Sequence, residues 1–245
     1  VLVFKAPTWV MNPTIQQDFF DRERDADPER FSAEYGAEFR NDLVGFIDRE
    51  LVESIVEEEV LEREPSPGIF YVAACDPSGG AGDSFTIGIS RRQDDGTSVL
   101  DLVREVTPPF SPEKAVEDLV FELRRYGVTK ITGDAYAGLW PREQFEKRGI
   151  SYVVSDKNRS EIYREFLPLA NARKISLLDN RKMLNQLCSL ERRVSRSGRD
   201  TIDHPRGSGQ HDDLINSAAL SLVLASQPWW RRGITVSVQP YQLSL

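Results

Sequence analysis

The period of apolar and polar positions changes near residue 67. Before it, aromatic residues are scattered and aliphatic ones sparse. Trp9-Val10-Met11-Asn12-Pro13 precedes a polar, helix-like stretch from Thr14 to Asp25, and Phe31, Tyr35 and Phe39 follow in isolation. A piece of this kind needs a neighbour to pack against. Between Asp48 and Glu62, Leu51, Val52, Ile55 and Val56 fall at helical spacing in an acidic background, which predicts an acidic amphipathic helix. Pro65-Ser66-Pro67-Gly68 marks a boundary, because neither proline can continue a helix.

After Gly68 strand patterns begin. Ile69 to Cys75 is an apolar run that reads as a buried strand. Ser84 to Arg91, with Phe85, Ile87 and Ile89 alternating, predicts a second. Asp94-Asp95-Gly96 is a hairpin turn, leading to a third strand over Ser98 to Val106 with Val99, Asp101, Val103 and Glu105 on one face. Short turns make these three an antiparallel meander. Ser111-Pro112-Glu113 then opens a helix, Ser111 as N-cap, which Gly127 ends. Thr129 to Asp134 and Ser151 to Ser155 are the fourth and fifth strands, with a helix over Pro141 to Arg148 between them; this order implies parallel pairing by a right-handed crossover. A helix over Ser160 to Ala170, a short strand at Lys174 to Leu177 and a helix over Arg181 to Arg192 follow. Val194 to Ile202 reads as a hairpin turning at Gly198, and the last helix runs from Asp212 to Ala225. The whole is an α/β order: three antiparallel strands, then parallel strands, flanked by helices. That is a ribonuclease H-like mixed sheet, in which the first and fourth strands lie side by side at the centre.

This arrangement gives three separated acidic signals a common destination. Asp76 ends the first strand, Asp134 ends the fourth, and Asp212-Asp213 opens the last helix. Asp83 follows the Pro77-Ser78-Gly79-Gly80 loop, within reach of the same edge. Clustered hard oxygen ligands suit Mg²⁺ or Mn²⁺, and a pair of such ions drives in-line attack on phosphate. Each residue also has an ordinary structural role open to it. Asp76 and Asp134 could be turn residues, and a carboxylate at a helix start is favoured by the dipole. Asp212 fits the helix-start role better than Asp213, so Asp213 ranks as the core ligand and Asp212 as an auxiliary one.

A net charge of −8 argues weakly against a polyanionic substrate, but the charge is unevenly spread. Acids dominate from Phe46 to Glu64, and bases from Lys157 to Arg206. Lys157 and Arg159 follow the fifth strand, near the expected carboxylate edge, where they could hold a phosphate backbone, stabilise a transition state or simply form a surface turn. Arg192, Arg193, Arg196 and Arg199 could set the hairpin on DNA, or line a solvated ribbon. His204 and His211 lack the cysteine or third histidine of a zinc site, and His211 could instead orient Asp212 or touch a phosphate under attack. Cys75 and Cys188 fit no disulfide or metal pattern, which implies a reducing, intracellular setting. No apolar run reaches the roughly 18 residues of a membrane span. The chain starts at Val1, which points to an excised or processed piece.

These segments together resemble the C-terminal nuclease domain of the large terminase subunit, part of the DNA-packaging motor of tailed bacteriophages. The resemblance rests on Asp76-Pro77-Ser78-Gly79-Gly80 with Asp83, Gly133-Asp134, Asp156-Lys157 ahead of the helix with Tyr163, His204-Pro205, and His211-Asp212-Asp213-Leu214. Trp9-Val10-Met11-Asn12-Pro13 with Glu34-Tyr35 and Glu38-Phe39 resembles the segment that joins the family's ATPase domain to its nuclease. The resemblance implies metal-dependent cleavage of double-stranded DNA by two Mg²⁺ or Mn²⁺ ions, with Asp76, Asp134 and Asp213 as catalytic ligands. It divides the chain into a linker over residues 1–66, a nuclease domain over 67–227 and a tail over 228–245 that carries Trp229-Trp230. It implies an ATPase domain in the parent chain, the portal and the small terminase subunit as partners, and the host cytoplasm as location. No Gly-x-x-x-x-Gly-Lys-Ser/Thr sequence occurs, so no ATPase activity is expected of this piece. Three other readings stay open: a resolvase- or transposase-like nuclease of the same fold, a sugar-kinase or actin-like ATPase opened by Asp-Pro-Ser-Gly-Gly, and a non-catalytic module that grips DNA or the portal.

Overall fold

A computed structural model of the chain describes residues 5–26, 31–32, 35–37, 43–133, 140–194, 200–205 and 211–227. The chain divides into two compact units, residues 1–44 with 192–201 and residues 45–191 with 202–245.

In the smaller unit, α1 (Thr8–Met11) and α2 (Gln17–Ala26) carry aromatic rings that find one another. Trp9 stacks on Phe31 with ring centroids 5.8 Å apart, Phe19 meets Tyr35 edge-on at 5.6 Å, and the Arg24 guanidinium lies over Phe31. Phe31 and Tyr35, which look isolated in the sequence, therefore join Trp9, Phe19 and Phe20 in a small cluster, while Phe39 lies outside the described residues.

The larger unit is built on a seven-stranded sheet. Its strands are β2 (Val56–Glu57), β3 (Tyr71–Asp76), β4 (Phe85–Arg92), β5 (Ser98–Val106), β6 (Lys130–Gly133), β7 (Ser151–Val154) and β8 (Ile175–Leu178), in the order β2-β8-β5-β4-β3-β6-β7. β3, β4 and β5 are antiparallel, while β6 pairs parallel with β3 and β7 with β6. The meander, the parallel pairing of β6 with β7 and the side-by-side placing of first and fourth strands stand as expected, though β4 and not that pair is the middle of the seven strands, and the fold is the ribonuclease H-like mixed sheet. Alternation along β3 sends Tyr71, Ala73 and Cys75 to one face and Ala74 to the other. On the first face lie α4 (Pro112–Arg125) and α5 (Trp140–Lys147), through Leu119, Leu123 and Phe145. On the second lie α3 (Arg49–Glu53), α6 (Arg159–Asn171), α7 (Arg181–Ser189) and α8 (Asp213–Ser226). A further sheet has the order β1 (Leu43–Gly45), β9 (Glu191–Val194), β10 (Asp200–Asp203).

α8 is buried on nearly every side, and its small residues let it lie directly on the sheet. A Cβ on Gly88 of β4 would stand 2.8 Å from the Ser217 carbonyl oxygen and 2.9 Å from Ala218 Cα. Ser90 and Ser221 share a buried hydrogen bond of 2.7 Å across this contact.

Four expectations need correction. The acidic helix over Asp48 to Glu62 stops at Glu53, and β2 follows it. Glu59 takes a left-handed φ of 63°, and Glu57 and Glu62 turn to Arg63, Arg104 and Arg125 instead of lining a helix face. Residues 46–55 supply Phe46, Ile47, Val52 and Ile55 to the core of the larger unit. The helix from Arg181 ends at Ser189, so Arg192 and Arg193 belong to β9. A bulge opposite Ile89 and Ser90 inserts Asp101 as an extra residue in β5. Leu100 and Val103 face α8 while Val99 and Leu102 pair with residues of the opposite face, so Val99, Asp101, Val103 and Glu105 do not share one side. Ser111 begins α4 without a side-chain capping bond. The tail with Trp229-Trp230 lies outside the described residues.

Candidate active site

The C-terminal ends of β3, β6 and β7 share one edge of the sheet because the three strands are parallel. Asp76 is the last residue of β3. Its Oδ2 accepts a 2.8 Å hydrogen bond from the Asn216 amide on α8, which ties the helix start to the strand end. Asp213, the first residue of α8, accepts the Ser84 N–H at Oδ2 (3.0 Å), and its carbonyl takes the Thr86 hydroxyl at 2.7 Å. Two strands and a loop thus clamp the first turn of α8. Burial pushes the Asp76 carboxyl up to about 7; the Asn216 amide and Arg159 oppose the rise, and Asp213 and Asp212 add to it. Burial also raises the Asp213 carboxyl, against the Ser84 N–H and with the charge of Asp83. Asp83 Oδ1 lies 3.0 Å from His211 Nδ1, beside Asp213. His211 therefore meets Asp83, where the sequence points to Asp212.

Asp212 sits apart in role though adjacent in sequence. Only 2% of its side chain is exposed, and both oxygens are engaged. Arg159 Nη1 donates to Oδ1 at 2.9 Å, and the Tyr163 hydroxyl donates to Oδ2 at 3.0 Å. Burial works against the charge of Arg159, yet Asp212 and Asp76 keep it firmly protonated. Asp203, His204 and Asp212 bring three ligand atoms within 4.8 Å of one another. The Arg159 guanidinium already lies 2.9 Å from Asp212 and 3.5 Å from Asp203, so a divalent ion there would face a fixed positive charge.

The carboxylate set at Asp76 and Asp213 is a better match to a cation. Like charges in a buried setting favour protonation unless a cation neutralises them. Among the described residues, the buried Asn216 Oδ1 has no hydrogen-bond partner, and the amide nitrogen of the same side chain donates to Asp76. Among the described residues, only one oxygen each of Asp76 and Asp213 accepts a hydrogen bond. A hard oxygen-binding cation suits this donor set. Gly133, at the end of β6, pairs with Cys75, the residue before Asp76. A Cβ on Gly133 would stand 2.6 Å from Cys75 Sγ, so only glycine fits there. Asp134, which follows it, lies outside the described residues, as do Arg196 and Arg199.

Of the expected basic residues, Lys157 pairs with Glu165 at 3.3 Å and Arg159 is held inside the acidic cluster. Arg192 and Arg193 lie on β9, in the sequence range of the smaller unit. Asn216 and Gln186 are functional neighbours that the sequence reading passes over. Asn216 stands three residues after Asp213, on the same helix face, and is a large polar side chain in an apolar helix. That contrast is a signal legible in the sequence. Gln186 has no such signal, since its partner is a distant backbone N–H.

The fold is similar to that of several solved phage structures. It is similar to the large terminase nuclease from thermophilic phage G20c, at 19% identity and a TM-score of 0.57, over 70% of this chain and 94% of that one. The Thermus phage P74-26 large terminase nuclease domain is similar at 16% identity and a TM-score of 0.55, over 71% and 92%. The HK97 bacteriophage large terminase matches at 12% identity and a TM-score of 0.60, over 89% of this chain and 53% of that one. The phage G20c nuclease has been crystallised with bound magnesium, cobalt and zinc. No protein-family model matches the chain, and no curated protein does. Among the described residues, no helix is long and apolar enough to cross a membrane.

Proposed function

We propose that this chain is a divalent-metal-dependent endonuclease that cuts double-stranded DNA during viral genome packaging. The observation that carries the reading is the meeting of Asp76 and Asp213 at one sheet edge, beside an Asn216 oxygen that has no partner among the described residues. The similarity in fold to terminase nucleases, one of them crystallised with divalent ions, supports it. Asp76, Asp134 and Asp213 are the ligands and the catalytic residues. Two divalent ions would supply activation of a water and stabilisation of the leaving 3′ oxygen.

The chain's own residues prepare the site. Asn216 fixes Asp76 by one oxygen and leaves the other for a cation. The Ser84 N–H does the same for Asp213. Asp83 with His211 forms an outer pair next to Asp213, able to act through a water. Asp212 works as the anchor of α8 through Arg159 and Tyr163, and Arg159 offsets part of the negative charge that Asp76 feels. Lys157, Arg192, Arg193, Arg196 and Arg199 are candidate phosphate contacts. The ATPase domain of a parent chain, the portal and the small terminase subunit are the partners of this reading, and the host cytoplasm its location.

Plasmid DNA incubated with the protein in Mn²⁺, Mg²⁺ or EDTA tests the proposal, with Asp76→Asn alongside. Cutting is expected with a metal and absent in EDTA. The variant, which keeps its shape and loses a ligand charge, should cut about 10²-fold more slowly or worse. Equal cutting by Asp76→Asn would falsify the mechanism.

A further inference from the structure

A groove of about 540 Å³ opens along α7; Ser84, His211 and Asp213 line its end at the candidate active site, while Lys182, Asn185, Ser189 and Glu105 have no role in that site. Its wall is one face of that helix: Lys182, Asn185 and Ser189 recur at helical spacing and all line it. Buried Gln186 lies between them and accepts the Ile215 N–H of α8 at 3.1 Å. The groove is therefore attached rigidly to the helix that carries Asp213.

The opposite wall follows from the sheet register. Asp76 pairs with Thr86 across β3 and β4, and Thr86 with Glu105 across β4 and β5. Cross-strand partners share a face, so the three side chains form a row that starts at the candidate active site and ends in the groove. There Glu105 holds Lys182 at 2.6 Å.

We infer that this groove seats the sugar-phosphate backbone of the DNA strand as it passes the carboxylates. The inference rests on the nuclease reading above. An amide, a hydroxyl and one ammonium are the donors that commonly meet phosphate and sugar oxygens, and they position a strand without reading its bases. The groove continues from Asp213, where the reacting phosphate would lie, so a bound strand reaches both. Glu105 acts against this binding, because it occupies the one ammonium and adds a negative charge. The groove thus admits changes of opposite sign, which a loss of folding cannot imitate.

The test is fluorescence anisotropy with a labelled DNA duplex in EDTA, so that nothing is cut, across a salt series. The double variant Asn185→Glu, Ser189→Glu should weaken binding by about tenfold. Glu105→Gln should tighten it by about threefold. Lys182→Ala should lower the slope of log affinity against log salt by about one. Mn²⁺ binding by calorimetry should stay the same in all of them. If the unaltered chain binds no duplex at all, both this inference and the nuclease reading fall. If it binds DNA and the variants match it in affinity and slope, the groove is a solvated helix face and this inference alone is overturned.

Discussion

α6 and α8 both begin at the carboxylate edge, yet they begin in different ways. α6 opens with a local capping box. The Asn158 side chain accepts the Glu161 N–H at 3.0 Å, and the Glu161 carboxylate accepts the Asn158 N–H at 2.8 Å. α7 is capped in the same local manner by Asn180, which accepts the Met183 N–H. α8 lies between them and has no side-chain cap. Its N-cap residue, Asp212, is drawn to Arg159 and Tyr163 on α6, and the N–H of Ile215 goes to Gln186 on α7. The helix that carries Asp213 is therefore set by its neighbours and not by its own first residues. Such a start costs more to disturb, and it places a metal-ligand candidate relative to two other helices at once.

The difference can be broken at three places. Arg159→Met leaves the buried carboxylate of Asp212 without its cation. It should cost about 3 kcal/mol in denaturant unfolding at pH 7. A smaller loss than for Asn158→Ala would remove Asp212 as the anchor. Gln186→Leu leaves the Ile215 N–H unsatisfied in the interior, at a cost of about 1–3 kcal/mol. It should also lower Mn²⁺ affinity, which a purely structural contact would leave alone. Asn158→Ala removes one local cap and should cost about 1 kcal/mol with Mn²⁺ affinity unchanged.

The central sheet is the part most open to sequence reasoning. β3 to β7 follow from alternation and turn residues, and Asp94-Asp95-Gly96 turns as its composition requires: Gly96 takes a φ of 85°, and Asp95 accepts the Thr97 N–H. The positions of Asp76 and Asp213 follow from that topology, since a strand end and a helix start are visible in one dimension. The misses have a common physical cause. Asp101 stands in a bulge that has no local signature. Leu51, Val52, Ile55 and Val56 show helical spacing, but the segment gains more by placing β2 against β8 and its acids against Arg63, Arg104 and Arg125. The division of labour between Asp212 and Asp213 depends on Arg159 and Tyr163, about fifty residues away in the chain. No pattern within the helix could have shown it.

Burial raises the carboxyls of Asp76 and Asp213, and the proposed function requires that a divalent cation neutralise them. Calorimetric titration of Mn²⁺ at pH 6 and pH 8, with the protein and its Asp76→Asn variant, tests that requirement most directly. With the Asp76 carboxyl up near 7, protons compete with the metal below that pH. Binding should be tighter at pH 8, release protons when measured near pH 7, and be lost or greatly weakened in the variant. Mn²⁺ binding that ignores both pH and the Asp76→Asn change would contradict the account.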